Sequence, residues 1–237
     1  MATSDFLFIA SVQSDSTWSL DSTEANHAFK VLRLATGDEI QVTDGLGRGF
    51  FARLGLRSKE GCTLELEAPL PASSQPLSLS MYIAPPKAGD RLEWMIEKSV
   101  ELGLIDFHFI HSRRSERKKI NLERLNAIAR SAMKQSRRFY APRLHPLLTL
   151  PEALRQLKNP ADAAFATCAA ISPIQKVAFN SSFPALFIGP EGDFSPEEIE
   201  QFIHYSLQPV HLGTARLRTE TAALTAVFTH FSHNALR

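Results

Sequence analysis

The stretch Phe187-Ile188-Gly189-Pro190-Glu191-Gly192-Asp193-Phe194-Ser195-Pro196-Glu197-Glu198 constrains this chain more than any other. Residues 184–188 form an apolar run with the length of a buried parallel strand. Gly189, Pro190, Gly192 and Asp193 are turn residues. Ser195, Pro196 and Glu198 then spell a helix start: an N-cap, a proline at the first helical position and the acid that completes a capping box. A strand that stops before a sharply started helix leaves backbone N–H and C=O groups free in the crevice at its carboxyl end, where open α/β sheets bind ligands. Val210-His211-Leu212-Gly213 reads as a second short strand running into a turn, and a helical pattern follows through Phe231. The two glycine-bearing strand ends form two lips of one pocket, or each glycine only makes its own tight turn.

The N-terminal third reads differently. Short β-like runs at 39–43, 49–54 and 62–67 alternate with turns, and Asp44-Gly45 between two of them is a hairpin signal. Strands at this spacing suggest a small barrel. One helix is expected over 22–34, with His27, Lys30 and Arg33 three apart on one face, either a phosphate-contacting face or a merely solvated one. Residues 69–76 have linker composition, so the expected domains are 1–72 and 73–237. Beyond the linker, strands at 77–84, 106–111 and 163–167 alternate with helices. One is capped by Asp90 and closed by Gly103, one starts at Asn121 and runs to about Arg138, and a short one spans 152–157. Alternating strands and helices imply an α/β domain with a parallel sheet covered on both faces.

Net charge is +1 over 237 residues, so global charge names no partner. The charge is uneven, however: between Lys87 and Arg143 there are fourteen Lys and Arg against seven Asp and Glu. Arg113, Arg114 and Arg117 fall in one dense cluster; Lys134, Arg137 and Arg138 fall in another that ends in Phe139 and Tyr140. Cations beside aromatics suit single-stranded nucleic acid, because bases stack on them.

Several chemistries are absent from the sequence. There is no phosphate-binding P-loop, no G-x-G-x-x-G fingerprint and no nucleophile elbow. His108 and His111 fall on opposite faces of their strand, and no metal site is expected. Cys62 and Cys168 lie far apart, which fits a reducing cytoplasm. No signal peptide or membrane span is read. What remains is a pocket of backbone groups with the acids Glu191 and Glu220 and the arginines Arg216 and Arg218.

Ile188-Gly189-Pro190-Glu191-Gly192, with Leu212-Gly213 and Leu217-Arg218-Thr219-Glu220-Thr221-Ala222, closely resembles the C-terminal cofactor motifs of the SPOUT methyltransferases, and within them the ribosomal RNA small subunit methyltransferase E family. His27, Val31-Leu32-Arg33-Leu34, Gly37-Asp38 and Asp44-Gly45 with Gly47 resemble that family's PUA-like N-terminal barrel. Lys87, Arg91, Glu97-Lys98 and Glu101-Leu102-Gly103, then Gln135-Ser136 with Arg138 and Pro142, resemble its next blocks. The resemblance implies methylation of N3 of a uridine in 16S ribosomal RNA of the small subunit, with S-adenosyl-L-methionine as methyl donor. It also implies a trefoil knot, which general topology rules would exclude, and a homodimer with the active site near its interface. The cofactor residues it implies are Gly189, Glu191, Gly192, Leu212, Gly213 and Leu217, with Thr167 as a third lip. Glu220 or Glu191 would serve as base, with Arg218 and Arg138 orienting base and phosphate. Two departures stand out: Asp193 where many relatives have glycine, and Ala215-Arg216 where relatives often carry Arg-Ile. Competing classes are a non-catalytic RNA-binding assembly protein and a SPOUT enzyme acting on another RNA position.

Overall fold

The computed structural model describes residues 6–15, 17–176 and 184–235. The chain divides into two compact units, residues 1–75 with 131–141, and residues 76–130 with 142–237.

The first unit is a six-stranded, barrel-like sheet. Its strands are β1 (Leu7–Ile9), β2 (Ser11–Ser14), β3 (Thr17–Asp21), β4 (Glu39–Thr43), β5 (Gly49–Arg57) and β6 (Gly61–Pro69), in the order β1-β4-β5-β6-β3-β2. β1 runs parallel to β4 and the other pairs are antiparallel. Phe8, Trp18, Leu20, Ile40, Val42, Ala52 and Leu54 alternate inward and form the core. The β4–β5 hairpin turns where Asp44-Gly45 predicts it: Asp44 Oδ1 accepts from the N–H groups of Leu46 and Arg48. Residues 131–141 complete this unit, with the Gly47 N–H on the Phe139 carbonyl. A Cβ at Gly47 would lie 2.5 Å from the Tyr140 hydroxyl, so only glycine fits there.

The helix expected over 22–34 is shorter. α1 (Ser22–Asn26), capped by Asp21, widens over His27–Val31, where the Leu32 N–H reaches back five residues to the His27 carbonyl. Arg33 sits beyond it at φ 58, in the left-handed region. Arg33 therefore does not share a helix face with His27 and Lys30, which are both exposed.

The second unit is a parallel sheet in the order β12-β10-β11-β7-β8-β9. Its strands are β7 (Ser80–Ile83), β8 (Asp106–His111), β9 (Arg143–Thr149), β10 (Ala163–Ala166), β11 (Ala185–Ile188) and β12 (Gln208–Val210). Its helices are α2 (Gly89–Glu101), α3 (Leu122–Gln135), α4 (Leu150–Arg155), α5 (Pro196–His204) and α6 (Thr219–Ala235). The last residues of α3 belong to the first unit. The core joins Tyr82, Phe165, Phe187, Phe194 and Phe202 to small residues such as Ala84, Ala153 and Ala163.

Local signals hold at most boundaries. Ser195 and Glu198 exchange the two hydrogen bonds of a capping box at α5, and Pro196 is its first residue. Asn121 accepts from the Arg124 N–H at the start of α3. Gly103, at φ 102, ends α2. Asp90, in contrast, lies inside the first turn of α2 rather than at its cap, because the helix already begins at Gly89. β12 precedes the expected Val210–Gly213 strand by two residues; His211 makes only an isolated bridge, to Pro173.

The parallel sheet with helices is the α/β arrangement expected from the alternating strands and helices. The His211 N–H donates to the Ser172 carbonyl, and its carbonyl accepts from Ile174, so the segment after β12 runs along the β10–β11 connection. α6 then returns to pack on β11 and α2 in the middle of the sheet. Residues 177–183 of that connection lie outside the described residues.

Candidate functional site

Three strand ends meet at one cleft. Thr167 follows β10, Gly189 follows β11 and His211 follows β12, and with the 212–217 segment they line a space of about 400 Å³. That lies within the roughly 300–1,000 Å³ of small-molecule sites. The two glycine turns are thus lips of one pocket, at the carboxyl ends of parallel strands.

The lips are tied together. Arg216 Nη2 donates to the Glu191 carbonyl at 3.0 Å and Thr219 Oγ1 to the Gly189 carbonyl at 3.2 Å. The Thr167 hydroxyl donates to Asp193 Oδ2 at 3.3 Å. Asp193 itself sits at φ 60 and uses Oδ1 to accept from the Phe194 N–H. Gly213, at φ 147, would direct a Cβ into open space. Among the described residues, the backbone N–H groups of Leu212 and Leu217 have no hydrogen-bond partner. Unpaired donors in a half-covered cleft suit a ligand held through backbone contacts.

The sequence-predicted cofactor residues therefore converge, with one exception. Thr167, Gly189, Glu191, Leu212, Gly213 and Leu217 all line the cleft. Gly192 does not. A Cβ there would stand 3.3 Å from Arg114 Cβ, so the bare turn lets the Arg114 side chain approach closely.

The three residues expected to act in catalysis do not line the cleft. Arg218 is an exposed residue just before α6. Glu220 is only 6% exposed; its Oε1 lies 3.6 Å from Arg91 Nε, and its Oε2 is buried with no hydrogen-bond partner. Arg138 belongs to the first unit and donates to the Ser74 hydroxyl. Burial pulls its guanidinium below the usual arginine value. Of the two acids, Glu191 is the one at the cleft, its Oε1 accepting from the Lys87 N–H at 3.0 Å.

The basic residues separate into engaged and open groups. Arg114 Nη1 donates to the Gly192 carbonyl at 2.8 Å, and Arg117 grips the carbonyls of Pro86 and Lys87. The Arg113 N–H reaches Glu198 Oε1, while its guanidinium pairs with Glu197. Arg114 thus holds the turn after β11, Arg117 the 86–87 backbone and Arg113 the acids at the start of α5, roles the charge pattern alone did not reveal. Lys118 and Lys119 next to them are exposed. In the first unit Lys134 is paired with Glu24, and Arg137 sits at φ 52 just past α3.

One cluster escaped the sequence reading because β9 carries no clear strand signal. Phe187, Tyr82, His108 and His145 are direct neighbours across four parallel strands, and their rings stack at 4.5, 4.2 and 4.0 Å. In the row below, Asp106 accepts from Ser80 and lies 3.1 Å from the Nε2 atoms of His108 and His145. Burial pushes the Asp106 carboxyl up, but His108 and Ser80, and then His145, outweigh it and hold the group well below the usual carboxylate range. Burial, with the charge of Asp106, pushes the Tyr82 phenol up to about 12. Arg143 Nε lies 3.3 Å from the same carboxylate, and His108 Nδ1 is buried with no hydrogen-bond partner among the described residues.

The chain is similar to known proteins along most of its length. A family model described as RNA methyltransferase domain matches residues 73–230, and one described as RNA methyltransferase PUA domain matches residues 20–67. Ribosomal RNA small subunit methyltransferase E of Bacillus subtilis is 30% identical over 231 residues, covering 89% of this chain and 88% of that protein. The crystal structure of the Neisseria gonorrhoeae protein of that name, bound to S-adenosyl methionine, superposes with a TM-score of 0.84 at 26% identity, over 96% of each chain. A Legionella pneumophila protein solved in complex with the same cofactor gives 0.80 at 25% identity over 98% of each chain.

Proposed function

The chain belongs to the ribosomal RNA small subunit methyltransferase E family, and from that premise we propose that it transfers a methyl group from S-adenosyl-L-methionine to N3 of a uridine in 16S ribosomal RNA. The observation that carries this reading is the convergence of Thr167, Gly189, Leu212, Gly213 and Leu217 on one cleft of about 400 Å³. The unpaired N–H groups of Leu212 and Leu217 fit a cofactor recognised mainly through backbone. When bound, the cofactor supplies an electrophilic methyl on a positively charged sulfur.

The chain's own residues have three tasks. The first is to hold the lips in register, which Arg216 and Thr219 do through the carbonyls of Glu191 and Gly189. The second is to take the uridine N3 proton. Glu191 lines the cleft whereas Glu220, nearly buried beside Arg91, does not, so we assign the base to Glu191. The third is to bring RNA to the site. We assign this to the basic 113–119 loop in the second unit, and in the first unit to His27, Lys30, Arg33 and the 134–138 cations. The first unit acts as the RNA-binding domain and the second as the methyltransferase domain.

The partners that follow are 16S RNA or the small ribosomal subunit and a second copy of the chain. α2 and α6 pack together and expose Trp94 and Phe228, apolar surface that a homodimer covers. Cys62 and Cys168 are free thiols, in keeping with a cytoplasmic enzyme. Among the described residues no helix is long and apolar enough to cross a membrane.

The deciding experiment incubates the protein with S-adenosyl-L-methionine and small subunits from cells lacking the gene, then maps 16S RNA by mass spectrometry. A single added methyl on a uridine base is the expected result. Binding of RNA without methyl transfer points instead to an assembly protein, and a methyl on a ribose or another RNA to a different SPOUT specificity.

A further inference from the structure

A carboxylate stands in the cleft wall at a position where a bare turn would suffice. Asp193 lies at φ 60, a conformation uncommon for residues with a Cβ and easy for glycine. Its oxygens accept from the Phe194 N–H at 2.7 Å and the Thr167 hydroxyl at 3.3 Å. A carboxylate offers about four lone-pair sites, so acceptor capacity remains. The charges lining the cleft are Glu191 and Asp193 against Arg216, one negative in excess. Glu191 already receives the Lys87 N–H, and Arg216 is turned to the Glu191 carbonyl.

This balance matches one form of the proposed cofactor and not the other. S-adenosylmethionine carries a sulfonium and an ammonium against one carboxylate, a net positive charge. After methyl transfer the sulfur is a neutral thioether and the net charge is zero. We propose that Asp193 is a specificity-determining residue that favours the sulfonium-bearing cofactor over its demethylated product. The inference rests on the S-adenosylmethionine reading above and adds to it a means of expelling product.

The test is calorimetric titration of the wild type, Asp193→Asn and Asp193→Gly with S-adenosylmethionine and, separately, S-adenosylhomocysteine. Asn tolerates the same backbone conformation and retains an oxygen for the Phe194 N–H, so the turn persists without the charge. Glycine removes the side chain at a position where backbone strain vanishes. In both variants the affinity ratio of methylated over demethylated cofactor should fall by about threefold to fivefold, the effect of one partly exposed charge pair. In the wild type that ratio should shrink as salt rises. A ratio unchanged in both variants while the wild type binds both ligands overturns the inference alone. A wild type that binds neither ligand overturns the cofactor reading itself.

Discussion

Arg216 Nη2 donates to the backbone carbonyl of Glu191 at 3.0 Å, so one side chain ties the turn after β12 to the turn after β11. The family resemblance alone placed the arginine one position off and left Arg216 without a role. Its role here comes from the fold, which brings residues 25 apart in sequence to opposite lips of the same cleft.

Arg216→Ala should therefore loosen the cleft rather than the fold. We expect S-adenosylmethionine affinity to fall about fivefold to tenfold, the net value of one exposed hydrogen bond. The melting temperature should stay nearly unchanged, because the arginine is exposed. Calorimetric titration and thermal melts check both; a large drop in melting temperature would contradict the assignment.

The two acids should separate in their effects. Glu191→Gln should abolish most methyl transfer while cofactor affinity stays within about threefold, as for a lost general base. Glu220→Gln should lower stability by about 1 kcal/mol, because it weakens a nearly buried partner of Arg91. Single-turnover methylation beside urea unfolding distinguishes them. Full turnover in Glu191→Gln would remove that residue from the proton transfer.

Within the basic loop, engaged and open cations should behave differently. Lys118 and Lys119 are exposed, and neutralising both should weaken RNA binding and lower the salt slope by about two. Arg117→Ala should instead impair cofactor binding, since Arg117 holds the carbonyls of Pro86 and Lys87, and the Lys87 N–H holds Glu191. Filter binding across a salt series, paired with cofactor titration, reads the contrast.

Asp106 sets an acid limit on stability. Its folded-state carboxyl is held below the ordinary value by His108, Ser80 and His145 against the effect of burial. A depressed carboxyl contributes stability that is present above its unfolded value, about 3.9, and is lost as pH falls toward the folded value. Urea midpoints should accordingly drop below about pH 4 in the wild type. Asp106→Asn should be less stable at pH 7 and show a flatter acid limb. Parallel pH profiles in the two proteins would show that another group is responsible.

Much of the architecture was legible along the chain because it is written in local physics. The capping box of Ser195 and Glu198, the hairpin at Asp44-Gly45 and the cap at Asn121 are each decided by neighbours within a few residues. Where tertiary context overrode local pattern, the reading slipped. β9 was not seen, β12 lay two residues early, and Arg33 left the helix because the turn before it widened. The strand ends of the cofactor cleft could be read for the same reason, since glycine turns after apolar runs are short-range signals.

The sequence by itself determined the two kinds of fold, the cleft-forming turns and the family, since periodicity, caps and glycine turns act over a few residues and motif order adds the rest. Only the tertiary structure decided what the charges do. It sent Arg114, Arg117 and Arg216 to backbone carbonyls, buried Glu220 against Arg91 and left Glu191 and Asp193 at the cleft. A charge's role depends on which partners and how much water surround it, and these are fixed by contacts between residues far apart in the chain.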